Sequence, residues 1–103
     1  MSSASWSYPF IASGVLNIVE GDIVVQTRRV MENLGAVLRA AGASFAEVVK
    51  TTIFLADLGH FSKMNEVYGG YFTSEPPARA TVQVGALPRG VLIEIDMIAH
   101  IGA

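Results

Sequence analysis

The chain has 103 residues, 51% hydrophobic and 16% charged, with a formal net charge of −2 and no cysteine. That length is one domain. The acidic balance argues against a nucleic-acid footprint, which needs a clustered basic face, and the missing thiols exclude a disulfide framework, a thiol nucleophile and a cysteine-based metal site.

A chain so short buries only a modest fraction of its surface when alone. The surplus apolar area therefore predicts an obligate homo-oligomer. The opening MSSASWSYPF lacks the basic and apolar parts of a signal peptide, and no apolar run reaches transmembrane length. The expectation is a cytoplasmic protein with no membrane partner. The pieces YPFIA and VLNIV are β-prone and flank Ser13-Gly14, which predicts a hairpin or an irregular strand, with Pro9 favouring an edge.

Asp22 then opens a strong helical pattern, DIVVQTRRVMENLGAVLRAAG. Ile23, Thr27, Val30, Leu34, Val37, Leu38 and Ala41 follow one face at helical spacing. Asp22 suits the N-cap and Gly42 the C′ position. SFAE reads as a capping box, Ser44 with Glu47, making one turn before the strand VVKTTIFLAD. Alternation there puts Val49, Thr51, Ile53 and Leu55 on one face and Val48, Lys50, Thr52 and Phe54 on the other. A second helix, HFSKMNEVYGGYF, has an apolar face of Phe61, Met64, Val67, Tyr68, Tyr71 and Phe72. Gly69-Gly70 weakens its end by roughly 1 kcal/mol per glycine, so tertiary contacts must hold it.

The last third reads as a β-hairpin, ARATVQVGAL and VLIEIDMIAHI around the turn PRG. In the second strand Val91, Ile93, Ile95 and Met97 face one way, and Leu92, Glu94, Asp96 and Ile98 the other. The element order predicts an α+β domain, a mixed sheet with both helices packed on one face and the other face left to a partner subunit.

Arg79 follows Pro76-Pro77, a stiff extended segment that fixes where the guanidinium points. Two readings fit it. Its planar fork suits a small carboxylate ligand, or it forms a structural ion pair with Asp96 or Glu94. Glu94 also has two readings: it positions a water or moves a proton, or it is an ordinary residue of a solvated sheet face. If Gly85 pairs with Leu92 across the turn, Arg79 faces Ile98 and Gln83 faces Glu94. Arg79 and Glu94 then share a face, four residues or roughly 13 Å apart. Asn65 stands beside Met64, where it can bond a ligand or cap a backbone group. Thr81 shares the face of Arg79 and can line the same cleft. Tyr68 fits the core stripe. His60 and His100 have no metal spacing to another ligand, and no phosphate loop is present.

The segments VVKTTIFLAD, FSKMNEVYGGYF, PPARATVQVGALPRG and IEIDMIA, in this order and spacing, resemble the Rid family, also called YjgF or L-PSP. The resemblance runs from about Val19 to the end. It implies a chorismate-mutase-like fold and a homotrimer with clefts between subunits. It also implies hydrolysis of enamines and imines, such as 2-aminoacrylate and 2-iminopropanoate, to 2-keto acids and ammonia, without metal or organic cofactor. On that resemblance Arg79 matches the arginine that holds the substrate carboxylate, and Glu94 the acid that positions the attacking water. Asn65 matches the cleft asparagine, and Thr81 a position where some members carry cysteine. Residues 1–18 depart from the pattern, which has a longer opening with Gly-Pro-Tyr-Ser and Ser-Gly-Gln segments. Tyr8 is the candidate for the cleft tyrosine those segments supply. Two further functions stand beside deamination: a non-catalytic trimer that binds small carboxylates, and an endoribonuclease or translation inhibitor, which the acidic balance disfavours.

Overall fold

The Asp22 carboxylate accepts a hydrogen bond of 3.0 Å from the Val25 backbone N–H and starts helix α1, Ile23–Ala40. The helix stops at Gly42, whose φ of +80° lies where a side chain would be strained. The computed structural model describes residues 2–7 and 22–101, so the two β-prone pieces at 8–12 and 15–19 lie outside the described residues. Strand β1, Ser2–Ser7, is formed by a serine-rich stretch in which Ala4 and Trp6 alternate with Ser3, Ser5 and Ser7. It then continues through α1, β2 (Val48–Leu55), α2 (Phe61–Gly69), β3 (Ala78–Gln83) and β4 (Ile93–Ile101). Among the described residues no helix is long and apolar enough to cross a membrane.

The capping box forms as the sequence predicts. Ser44 N donates to Glu47 Oε1 at 2.7 Å, and the Ser44 hydroxyl accepts from Ala46 N at 3.3 Å, closing a short 3₁₀ turn over Phe45–Glu47. The strand that follows deviates at its start. A register shift between Val48 and Lys50 turns Val48 into the core and leaves Val49 48% exposed, the reverse of strict alternation. Such a bulge adds one residue to a strand and flips the side-chain order upstream of it. From Thr51 onward the expected face is buried: Thr51, Ile53 and Leu55.

The expected hairpin of the last third does not form. The four strands run in the order β1-β4-β2-β3. Strand β2 lies between the two segments: it pairs parallel with β3 and antiparallel with β4. The physical reason lies in α2. A parallel pair needs a crossover, and β2–α2–β3 supplies one, so β3 returns beside β2 rather than folding onto β4. The connection at residues 84–92 then crosses the end of β2. Val84 N donates to Leu55 O at 2.9 Å and Ala56 N to Leu92 O at 3.1 Å, so both ends of that connection are pinned to β2. Strand β2, apolar and buried on one face, thereby has both of its edges paired.

Both helices lie on one sheet face, as the element order predicts. The core joins Val30, Met31, Leu34 and Leu38 of α1, Met64 and Tyr68 of α2, Ile53 and Leu55 of β2, and Ile93, Ile95 and Met97 of β4. Each such side chain contributes on the order of 1.5–3 kcal/mol by burial. The Val37 and Ala41 positions of the expected stripe fall outside the buried set; Met31 and Gly35 are inside it. Gly35 is a close approach, since a Cβ there would lie 3.1 Å from the Phe45 ring.

The contacts that hold the glycine-weakened end of α2 are aromatic. Phe45 packs on Tyr71 and Phe72 with centroids 5.4 and 5.5 Å apart, and Tyr68 on Phe72 at 4.9 Å. Tyr71 Oη donates to Glu32 Oε2 of α1 at 3.1 Å. Burial raises the pKa of both Tyr68 and Tyr71. For Tyr68 the Thr51 hydrogen bond and the Arg79 charge pull the other way; for Tyr71 the Glu32 carboxylate adds to the rise and Arg28 opposes it.

A raised phenol pKa means that the folded state holds its proton to higher pH than the unfolded chain does. The stability this contributes is intact below the unfolded value of 10.0 and falls as pH rises from there toward the folded value. Thermal unfolding followed between pH 8 and pH 11.5 is expected to show a midpoint that drops above about pH 10. Tyr68→Phe is expected to reduce the steepness of that drop. An equally steep drop in the variant contradicts the assignment to Tyr68.

Candidate active site

Arg79 is the second residue of β3 and stands opposite Thr51 of β2, which in turn stands opposite Met97 of β4. Partners across a ladder share a face, so Arg79 emerges on the helix side of the sheet. There it meets three residues of α2. Its Nη1 donates to Asn65 Oδ1, and its guanidinium carbon lies 5.3 Å from the ring centroids of both Phe61 and Tyr68. Phe61, Asn65 and Tyr68 are spaced i, i+4 and i+7, which makes one stripe along the helix. The guanidinium thus lies along a trough with an aromatic ring at each end and an amide oxygen between them.

No carboxylate among the described residues pairs with Arg79. Glu94 stands opposite Phe54, and Phe54 opposite Val82, on the other face of the sheet; Asp96 stands opposite Thr52 on that same face. This corrects two sequence expectations. The ion-pair reading with Asp96 or Glu94 fails, and Arg79 and Glu94 do not share a sheet face. The shared face had rested on the hairpin register, and the insertion of β2 between β3 and β4 replaces it. Glu94 is half-buried and engaged with other groups. One carboxylate oxygen of Asp96, Oδ1, is buried without a hydrogen-bond partner.

Beside Arg79 opens a cavity of about 510 Å³, walled by Tyr68, Phe72, Pro76 and Pro77 among others. The Pro76-Pro77 segment borders it directly. Asn65, for which the sequence offered a ligand or a backbone group as partner, is brought to the Arg79 side chain. Thr81 shares the face of Arg79, standing opposite Ile53, but its hydroxyl is buried without a partner and does not line this cavity. Tyr8 lies outside the described residues. Phe61 and Tyr68 are the contacts that sequence reasoning missed. Both are in the apolar stripe of α2, and the signal that marks them is their spacing around Asn65.

Arg79 carries five N–H donors in a fixed fork, and one is used by Asn65. The rings hold the cation without neutralising it. What remains is a positively charged planar group facing a partly apolar cavity, the chemistry that receives a small carboxylate. Among the described residues no three His, Asp or Glu side chains stand together as metal ligands.

The family model described as endoribonuclease L-PSP matches residues 11–101. Protein DfrA of Myxococcus xanthus is 64% identical over 84 residues, covering 82% of this chain and 64% of its own length. The 2-iminobutanoate/2-iminopropanoate deaminase of Mus musculus is 49% identical over 82 residues, covering 80% of this chain and 61% of that protein. Among solved structures, a member of the conserved Rid family from Yersinia pestis superposes with a TM-score of 0.81 at 46% identity, over 82% of this chain and 68% of that one. The chain thus spans less than two thirds of the length of these two curated relatives. With the model match over residues 11–101 and this level of identity, the chain belongs to the endoribonuclease L-PSP family, the Rid family its motifs resemble.

Proposed function

We propose that the chain is a hydrolytic deaminase of small 2-imino acids and their enamine forms, converting 2-iminopropanoate and water to pyruvate and ammonia. The observation that carries this reading is Arg79: a guanidinium held by Asn65 and two rings, with no carboxylate partner among the described residues, at the edge of a cavity. The relative named 2-iminobutanoate/2-iminopropanoate deaminase supports the substrate class.

The imine carbon is already electrophilic. Water adds to it, a proton passes to nitrogen, and the C–N bond breaks to release ammonia and leave the keto group. The protein's part is to hold the substrate carboxylate and aim the water, which is mainly positioning. Arg79 also offsets charge close to the reacting carbon. Glu94 is assigned to orient the water and take its proton. Within one chain it stands on the far face of the sheet from Arg79. The proposal therefore joins the helix-side trough of one protomer to the open sheet face of its neighbour, in a homotrimer with clefts between subunits. The open face carries exposed Val49, Val82 and Ile98, which suits burial by another copy. No metal or organic cofactor takes part in this reading, which places the protein in the cytoplasm.

A second reading has one observation in its favour. The separation of Glu94 from Arg79 suits a protein that binds small carboxylates without turning them over. Bound 2-ketobutyrate with no deamination by the intact oligomer decides for that reading.

Two outcomes are expected. Pyruvate release from an enzymatically generated 2-aminoacrylate pool falls about 10- to 100-fold in kcat/KM for Arg79→Ala, since charge-assisted hydrogen bonds are worth about 1.5–3 kcal/mol. Arg79→Lys, which keeps the charge and loses the fork, falls in between; equal rates for wild type and Arg79→Ala contradict the proposal. Secondly, Arg79→Ala and Glu94→Ala proteins, each with residual activity only, are unfolded together and refolded. Sites shared between protomers recover about a quarter of wild-type activity by random assembly of a cyclic trimer. Sites built within one chain recover none.

A further inference from the structure

We infer that Tyr68, locked in place by the hydroxyl of Thr51, is the positioning residue that orients the Arg79 guanidinium. The inference rests on the reading of Arg79 as a ligand anchor, and its test begins on the ligand-free protein so that the two can fail separately.

Thr51 and Arg79 are direct partners across the β2–β3 ladder, so their side chains leave the sheet together. Tyr68 reaches both. Its Oη lies 2.7 Å from Thr51 Oγ1 in a buried hydrogen bond, and its ring lies 5.3 Å from the guanidinium carbon. Tyr68 is 4% exposed and Thr51 1%, so neither hydroxyl has water as an alternative partner. A leucine would satisfy the apolar stripe of α2 at this place. A tyrosine adds a polar tip that must find a partner when buried, and the partner it finds is the residue adjoining Arg79. The ring is therefore fixed at its far end by β2 while its face receives the cation. Phe61, the other ring at Arg79, is half-buried and has no polar atom to anchor it. Tyr68 also forms a wall of the cavity, so the same ring that holds the guanidinium borders the space into which the fork opens. Burial keeps the phenol neutral through the ordinary pH range, so the hydroxyl pair persists there.

The test measures the order of the Arg79 Nε–Hε bond by ¹⁵N relaxation in the ligand-free protein, with Arg39 as an internal control. Thr51→Val and Tyr68→Phe each break the hydroxyl pair, and the double variant Thr51→Val/Tyr68→Phe removes both polar groups and leaves none unsatisfied. The double variant is expected to regain the stability that the single variants lose. A structural role alone would restore Arg79 with it. Positioning predicts that Arg79 order stays below wild type in the double variant while Arg39 is unchanged. The Kd for 2-ketobutyrate is expected to be about two- to fivefold higher, as displacement of an unanchored ring from its place beside the guanidinium implies. Arg79 order and Kd equal to wild type in the double variant overturn the inference. If the order falls but wild type itself does not bind 2-ketobutyrate, the Tyr68 assignment stands and the anchor reading fails.

Discussion

A guanidinium at the edge of a sheet needs a counterpart, and among the described residues the counterpart is not a carboxylate. Arg79 lies along the Phe61–Asn65–Tyr68 stripe of α2, bonded to one amide oxygen and close to two ring faces. This arrangement fixes the side chain while leaving its positive charge uncancelled. An acid in place of Asn65 would hold the arginine more firmly and remove its use for an anionic ligand. The amide does the opposite: it consumes one donor and no charge.

The rest of the structure is needed to bring that stripe to that arginine. The β2–α2–β3 crossover places β3 beside β2 and α2 above both. The aromatic group of Phe45, Tyr71 and Phe72, together with the Tyr71–Glu32 hydrogen bond, holds the glycine-weakened end of α2 against α1. The Pro76-Pro77 segment then leads into β3 along the cavity wall. The same topology puts Glu94 on the opposite face of the sheet, which is why a deaminase site using both residues calls for a second protomer.

Much of this was legible in the sequence, because it rests on local chemistry. Asp22 and Gly42 bound α1, Ser44 and Glu47 close a capping box, and both helices lie on one sheet face. The motif PPAR marks the arginine, and Asn65 is found beside it. What was not legible depends on non-local pairing. Two apolar strands around a short turn look alike whether they pair with each other or with a strand between them, and only the crossover through α2 decides. The bulge at Val48/Lys50 is likewise set by its partner strand rather than by its own pattern. Tyr68 was hidden for a different reason: it is a core residue by spacing and by burial, and its hydroxyl contact to Thr51 bridges 17 residues of sequence.

The central claim is that Arg79 is a carboxylate anchor, and a crystal structure of the assembled protein with 2-ketobutyrate tests it most directly. The account predicts both carboxylate oxygens within about 2.7–2.9 Å of the Arg79 guanidinium, as in a bidentate charge-assisted pair. The Asn65 and ring contacts are expected to stay in place. A ligand bound away from Arg79, or an Arg79 turned onto an Asp or Glu side chain of its own or a neighbouring protomer, would contradict it.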